Sequence, residues 1–222
     1  LEEGSISLDD KVTISRYAQS MGGSQIYLAA NTQVELEKLL KAITIASGND
    51  ASVAMAEYIA GTYSNFIAMM NDKAKELGMD STNFSNSTGL PDSNHYSTAR
   101  DISIMARELS KYPKVLEWAS IWTETIQLPN RKAMLVNTNS LINKYPSMDG
   151  LKTGHTQEAG FCLASTAKKG DTRLISVVLQ GETLTEREEA TTRLLDYGFN
   201  AFSKRKIAAK GDQIQNIPIV ES

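Results

Sequence analysis

Two short runs place chemically versatile side chains at close spacing. Ser47-Gly48-Asn49 sets a hydroxyl and a carboxamide two residues apart, and Lys152-Thr153-Gly154 sets an ammonium beside a hydroxyl and a glycine. A serine can pass a proton, an asparagine can both donate and accept hydrogen bonds, and Lys152 and Arg187 can supply positive charge. Cleavage of a peptide bond next to a free carboxylate would use such groups: it needs a nucleophile, a base, an acid for the leaving amine, oxyanion donors and a cation for the carboxylate. The spellings alone carry little. A Ser-x-Asn triplet is expected about once by chance in a chain of this size, and a second copy stands at Ser81-Thr82-Asn83. A fixed tripeptide such as Lys-Thr-Gly arises by accident in about 3% of such chains. Taken singly, Ser47 reads as a helix-end turn serine, Lys152 as a solvated strand-end lysine, and Arg187 as a surface arginine pairing with Glu182 or Glu188.

The elements around these runs change character along the chain. Val34, Leu36, Leu39, Leu40 and Ile43 form an apolar stripe at helical spacing that should stop near Ser47. Asp50 is then placed to cap a second helix, and Ser64 a third that runs to Gly78, a natural left-handed stop. Residues 80–96, crowded with Ser, Asn, Gly and Pro, predict a long ordered loop. Ser97 opens a helix with Ile102, Met105, Ala106 and Leu109 on one face, ending before Pro113. After Trp118 residues 123–128 alternate like a strand, and residues 160–167 and 172–179, joined through Lys169-Gly170-Asp171, predict an antiparallel hairpin. Thr185 and Glu188 fit a capping box for a last helix with Ala190, Leu194 and Tyr197 on one face. Helices followed by a sheet imply an α+β domain of two lobes, whose cleft is a common place for a ligand.

Composition narrows the chemistry. With 23 Lys plus Arg against 26 Asp plus Glu, the net charge of -3 gives no reason to expect a nucleic-acid partner. One cysteine, Cys162, excludes an internal disulfide and reads as a small apolar strand residue. Two histidines, His95 and His155, are too few for a His-rich metal centre, and His95 in its polar loop reads as structural. No run approaches the ~20 apolar residues of a membrane helix. The opening Leu1-Glu2-Glu3-Gly4 reads like the tail of a helix entering a turn and implies a segment upstream.

Ser-x-x-Lys, Ser-Asp-Asn and Lys-Thr-Gly in that order form the signature set of penicillin-binding proteins and class A β-lactamases, and the last two appear here in order, with glycine in place of the central aspartate. The segments SMGGSQIYL, IASGNDASVAMAEYIAG, KAKELGMDSTNFSNSTGL, HYSTARDISIMARELSKYP, LVNTNSLI, DGLKTGHT and LISVVLQGETLTEREEATTRLLDYGF extend the likeness. From Leu1 to about Phe202 the chain resembles the low-molecular-mass penicillin-binding proteins, in particular the D-alanyl-D-alanine carboxypeptidases. The resemblance implies a β-lactamase-like α+β fold, a helical lobe beside an antiparallel sheet lobe with flanking helices. It implies that Ser47 relays a proton between a catalytic lysine and the leaving D-alanine, and that Asn49 holds the substrate and that lysine. Lys152 would raise the local positive potential, Thr153 and Arg187 would grip the terminal carboxylate, and the N–H of His155, after Gly154, would be one oxyanion donor.

The Ser-x-x-Lys that supplies nucleophile and base in the family is expected before Leu1. Ser203-Lys204-Arg205-Lys206 spells it too, but after the last motif and in a solvated charge run. Loss of a serine nucleophile costs on the order of 10⁶ in kcat, so the chain by itself is expected to be inactive. The resemblance further implies a serine-type carboxypeptidase acting on peptidoglycan stem peptides ending in D-Ala-D-Ala, acylated by β-lactam antibiotics, and needing no metal or organic cofactor. It also implies export, membrane anchoring of the parent protein, and a β-rich C-terminal domain beginning within residues 207–222, beyond a penicillin-binding domain at residues 1–206. The upstream segment is expected to be needed for good folding, since strands and a helix supplied by it would cover an apolar face. A class A β-lactamase shares fold and motifs but needs a deacylating glutamate, and no Glu-x-x-x-Asn lies between Asn86 and Lys152. A non-catalytic peptidoglycan-binding homologue is the rival of another class.

Overall fold

The computed structural model describes residues 4–203, and the expected β-rich start at 207–222 lies outside the described residues. Short strands β1 (Lys11–Thr13) and β2 (Gln33–Glu35) pair antiparallel, with buried Val12 opposite buried Val34, and α1 (Arg16–Gln19) lies between them in sequence. Helix α2 (Leu36–Ala46) buries Leu36, Leu39, Ala42 and Ile45, a repeat of three that turns one face inward. The apolar stripe predicted from Val34 is therefore corrected at its start. Val34 alternates with polar Gln33 and Glu35 as a strand residue does, while Leu40 and Ile43 are only half-buried on the helix flank.

Helices α3 (Asn49–Ala60), α4 (Tyr63–Glu76), α5 (Ala99–Leu109) and α6 (Pro113–Ala119) complete the helical lobe, α6 opening on proline at its first turn. The predicted cap at Ser97 falls one residue early, and those at Ser64 and Thr185 fall two residues late. The true caps are threonines: Thr62 accepts the N–H of Asn65, Thr98 that of Asp101 and Thr183 that of Glu186. Each site holds two hydroxyl residues one or two positions apart, and the cap is the one whose oxygen reaches an N–H three positions on. At the last of these Glu186 returns a carboxylate to the N–H of Glu182 at 2.7 Å, a capping box displaced by two residues from Thr185 and Glu188. Asp50 is not a cap either. Gly48 occupies the cap position, and Asp50 sits fully buried in the first turn of α3.

β3 (Thr123–Gln127) and β4 (Lys132–Val136) form a hairpin, and α7 (Leu141–Lys144) leads into the main sheet. That sheet has the order β5-β6-β7, with β5 (Met148–Thr156), β6 (Gly160–Lys169) and β7 (Thr172–Gly181) all antiparallel. The β6–β7 turn carries Gly170 at φ +56°, as the Lys169-Gly170-Asp171 spelling requires. α8 (Leu184–Ala201) packs along β6 and β7. Two cores result: Val12, Leu36, Leu39, Ile45, Val53 and Leu135 belong to that of the helical lobe, and Leu141, Tyr145, Met148, Leu163, Ala167 and Leu195 form that of the sheet lobe. The end of α2 and strand β5 meet where these lobes abut.

Candidate active site

Ser47 ends α2 in the left-handed region, at φ 58° and ψ 37°, with its N–H on the Ile43 carbonyl at 3.2 Å. A non-glycine residue held there costs about 1 kcal/mol. In return the side chain leaves the helix and meets the sheet lobe: Lys152 Nζ on β5 donates to Ser47 Oγ at 2.8 Å and to the Thr153 carbonyl at 2.9 Å. Burial pushes the Lys152 ammonium from 10.5 down to about 8, and among the described residues no carboxylate pairs with it. A serine oxygen held by a desolvated cation is well placed to exchange a proton near neutral pH.

Asn49 follows in the first turn of α3, donating its N–H to the Ser24 carbonyl at 2.8 Å and its Nδ2 to the Gly22 carbonyl at 2.8 Å. Gly23, at φ +74°, lets the chain pass so closely that a Cβ there would stand 2.7 Å from Asn49 Nδ2. The segment is held in place by Asp50, whose carboxylate accepts the N–H groups of Ile26 at 3.1 Å and Leu28 at 2.9 Å. Those two bonds tie residues 22–28 to the start of α3 and so set the groove edge.

The opposite wall is the loop of residues 80–96, ordered as its composition predicts. Asn71 on α4 clamps both backbone groups of Phe84 at 2.8 Å, and Asp101 on α5 accepts the Ser81 N–H at 2.9 Å and the Thr82 hydroxyl at 2.8 Å. Ser52 Oγ on α3 donates to the Ser87 carbonyl at 2.9 Å. His95 belongs to this scaffold: its Nδ1 accepts the Ser85 N–H at 3.2 Å, its ring sits edge-on to Phe84, and burial lowers its pKa.

On the sheet side Thr153 Oγ1 donates to Thr138 Oγ1 at 2.7 Å, and Gly154 and His155 stand opposite Cys162 and Phe161 in the β5–β6 register. The exposed His155 ring lies on Phe161 with centroids 4.1 Å apart. Arg187, in the first turns of α8, is 3% exposed, and among the described residues its Nε and Nη2 find no hydrogen-bond partner. Burial lowers its pKa against the partly restoring field of Glu188. The pairing with Glu182 or Glu188 that Arg187 taken singly would suggest is not formed. Glu188 is taken by Lys144 at 2.7 Å and by Ser140. An unpartnered guanidinium in a low-dielectric wall is a receptor for a carboxylate.

All seven residues singled out from the sequence, Ser47, Asn49, Lys152, Thr153, Gly154, His155 and Arg187, line one groove of about 700 Å³. Thr138 lines it too and carried no spelling of its own. Ser165-Thr166-Ala167-Lys168 also spells Ser-x-x-Lys, but within β6, where residues three apart point to opposite faces. Ser165 is fully buried and Lys168 exposed, so the two cannot act together. Of Ser203-Lys204-Arg205-Lys206 only the serine falls among the described residues.

A hydroxyl and an ammonium are joined across the seam between a helical lobe and an antiparallel sheet, with the Arg187 guanidinium along the same groove, and the fold is that of the DD-peptidases. The chain superimposes on penicillin binding protein 6B from Escherichia coli with a TM-score of 0.87 and 32% identity, covering 96% of this chain and 68% of that one. On the Streptomyces K15 DD-transpeptidase the TM-score is 0.82 at 29% identity, covering 89% and 81%. The family described as D-alanyl-D-alanine carboxypeptidase matches residues 1–183, and the chain belongs to that family. The Bacillus subtilis D-alanyl-D-alanine carboxypeptidase DacF is 44% identical over 220 residues, 99% of this chain and 57% of that protein. The chain thus spans little more than half the length of the curated relatives it matches.

Proposed function

We propose that the groove is the substrate site of a serine-type D-alanyl-D-alanine carboxypeptidase that trims the terminal D-alanine from peptidoglycan stem peptides and is acylated by penicillins. The observation that carries this reading is the Lys152–Ser47 contact of 2.8 Å in one groove with an unpartnered Arg187. Arg187 and Thr153 take the terminal carboxylate, which places the scissile bond beside Ser47. Ser47 passes the proton that the leaving D-alanine amine needs, and Lys152 keeps the proton transfer and the developing negative charge in a positive field. Asn49, with Nδ2 committed to the Gly22 carbonyl, presents Oδ1 to the substrate backbone. The N–H of His155 is one oxyanion donor, while its ring, stacked on Phe161, takes no part in proton transfer. The nucleophile and its base come from a Ser-x-x-Lys outside this chain.

The site acts outside the cytoplasm, where peptidoglycan lies, in a protein that other segments anchor to the membrane; among the described residues no helix is long and apolar enough to cross one. Residues 1–206 correspond to its penicillin-binding domain. Incubation of the full-length protein with fluorescent penicillin, followed by peptide mapping, tests the reading. A long-lived adduct on the serine of a Ser-x-x-Lys is expected. No adduct, or rapid turnover of the penicillin as by a β-lactamase, would overturn it.

A further inference from the structure

Residues 137–141, from the end of β4 to the start of α7, touch α2, β5 and α8, which carry Ser47, Lys152 and Arg187. Asn137, 5% exposed, donates through Nδ2 to the carbonyls of Ala119 at 2.9 Å and Ile121 at 2.8 Å, which moors the segment to the end of α6. Its Oδ1 accepts the N–H of Asn139 at 2.9 Å. Asn139, 1% exposed, accepts the N–H of Leu141 at 3.2 Å and donates to the Gly150 carbonyl of β5 at 3.4 Å. Ser140 donates to Glu188, the residue after Arg187 on α8. Two buried carboxamides within three residues are costly unless every bond is made. Here they are bonded, and the result is a segment with one conformation.

Thr138 stands between the two asparagines. Its N–H donates to the Ile45 carbonyl at 3.1 Å, two residues before Ser47, so the same peptide group holds the serine turn. Its side chain enters the groove, where Oγ1 accepts the hydroxyl proton of Thr153 at 2.7 Å. A hydroxyl has a single proton. While that of Thr153 lies on Thr138, Thr153 has only lone pairs for a ligand, and lone pairs repel a carboxylate.

We infer that Thr138 is a positioning residue for carboxylate recognition. When a carboxylate enters, Thr138 turns its own proton onto Thr153 Oγ1, and Thr153 turns its proton onto the anion. Both O–H groups rotate, with a small turn of the Thr138 side chain, and the number of hydrogen bonds between the two threonines and the anion rises by one. The two threonines then work as a chain, and the backbone of Thr138, fixed on Ile45, holds its hydroxyl oxygen beside that of Thr153. A lone threonine at 153 would be free to present either its proton or its lone pairs. This inference deepens the carboxypeptidase reading and rests on it.

The test is steady-state hydrolysis of an acyl-D-Ala-D-Ala peptide by the full-length protein and by Thr138→Val, which keeps the branched shape and removes the hydroxyl. KM is expected to rise about three- to tenfold with kcat within about twofold, the loss of the one neutral hydrogen bond that Thr138 makes to Thr153. Thr138→Ser should restore KM, and in a Thr153→Val background Thr138→Val should cost nothing further. Unchanged KM, a fall confined to kcat, a serine variant as impaired as the valine, or full additivity with Thr153→Val would each overturn the inference. If Thr138→Val does not fold, Thr138→Ala is measured in its place with the same expected rise in KM. A wild-type protein that neither hydrolyses the peptide nor takes a penicillin adduct would overturn the carboxypeptidase reading itself, and this inference with it.

Discussion

Lys152 is charged at neutral pH against the preference of its surroundings, and replacing it by methionine should expose that cost. The fall of its pKa from 10.5 to about 8 corresponds to about 3 kcal/mol of destabilisation at about 1.4 kcal/mol per tenfold. Lys152→Met removes the penalty but leaves Ser47 Oγ and the Thr153 carbonyl without their donor, at about 1 kcal/mol each. The variant of the full-length protein should therefore be more stable at pH 7, by about 1 kcal/mol, although an active-site residue has been deleted. The sign of the pH dependence follows from proton counts. Below about pH 8 both folded and unfolded chains hold the lysine proton, and the penalty is fully present. Between about 8 and 10.5 the unfolded chain holds the proton and the folded one does not, so wild-type stability rises with pH relative to the variant. Above 10.5 only the two lost hydrogen bonds separate them, and the wild type should be the more stable. Urea denaturation of both proteins at pH 7 and pH 10 checks this. A stability difference that does not change between the two pH values would refute the claim that Lys152 is a desolvated cation. Penicillin acylation of the variant should fall on the order of 10²-fold or more over the same range, as for loss of a group that stabilises developing charge.

In the wild type, the acylation rate should decline as pH rises through about 8, where Lys152 loses its charge, and a stopped-flow pH profile with no inflection there would contradict its role. Ser47→Gly should be more stable than Ser47→Ala by about 0.5–1 kcal/mol, because glycine accepts φ 58° without strain, while both slow acylation by about 10²–10⁴. Thermal melts together with labelling rates separate those two effects. Arg187→Met should raise KM for the peptide tenfold or more without loss of stability, since an unpartnered buried guanidinium is removed; a loss above about 2 kcal/mol in a urea melt would mean that the cation is paired after all. Asp50→Asn should cost about 1–3 kcal/mol, because one acceptor of the Ile26 and Leu28 N–H groups becomes a donor, and hydrogen exchange at those two amides should accelerate.

What the chain discloses about itself depends on whether the signal is periodic or geometric. The stop of α2 at Ser47, the Gly170 turn, the β6–β7 hairpin and the ordered loop of residues 80–96 are written locally, in turn residues and in the alternation of apolar positions. Helix starts are less legible. Where Thr62 and Ser64, Ser97 and Thr98, or Thr183 and Thr185 compete, the choice is made by which oxygen meets an N–H three residues on, and composition does not record that. β4 is legible only in retrospect, from the alternation that buries Ala133 and Leu135. The gathering of Ser47, Lys152 and Arg187 follows from motif order and family likeness, but no spacing predicts that Arg187 lacks a partner. That depends on Lys144 and Ser140 having claimed Glu188.

The groove gathers three groups in states that cost stability: a left-handed serine, a desolvated ammonium and an unpaired guanidinium. Such states persist only where neighbouring structure leaves no alternative. The neighbours that do this are polar and buried: Asp50 holding residues 26–28, Asn137 and Asn139 locking the turn at Thr138, and Glu188 drawn away from Arg187 by Lys144. Because each of these is satisfied by backbone groups or by an opposite charge, it contributes rigidity without competing for a ligand. Lys144→Met should therefore act on the groove from a distance. With its ion pair gone, Glu188 is free to swing toward Arg187, and the guanidinium that would receive a carboxylate acquires one from its own helix. The expected outcome is a higher KM for the peptide with kcat retained, partly reversed in the double variant Lys144→Met/Glu188→Gln. If adding Glu188→Gln leaves KM as high as in Lys144→Met alone, the ion pair has no part in keeping Arg187 available.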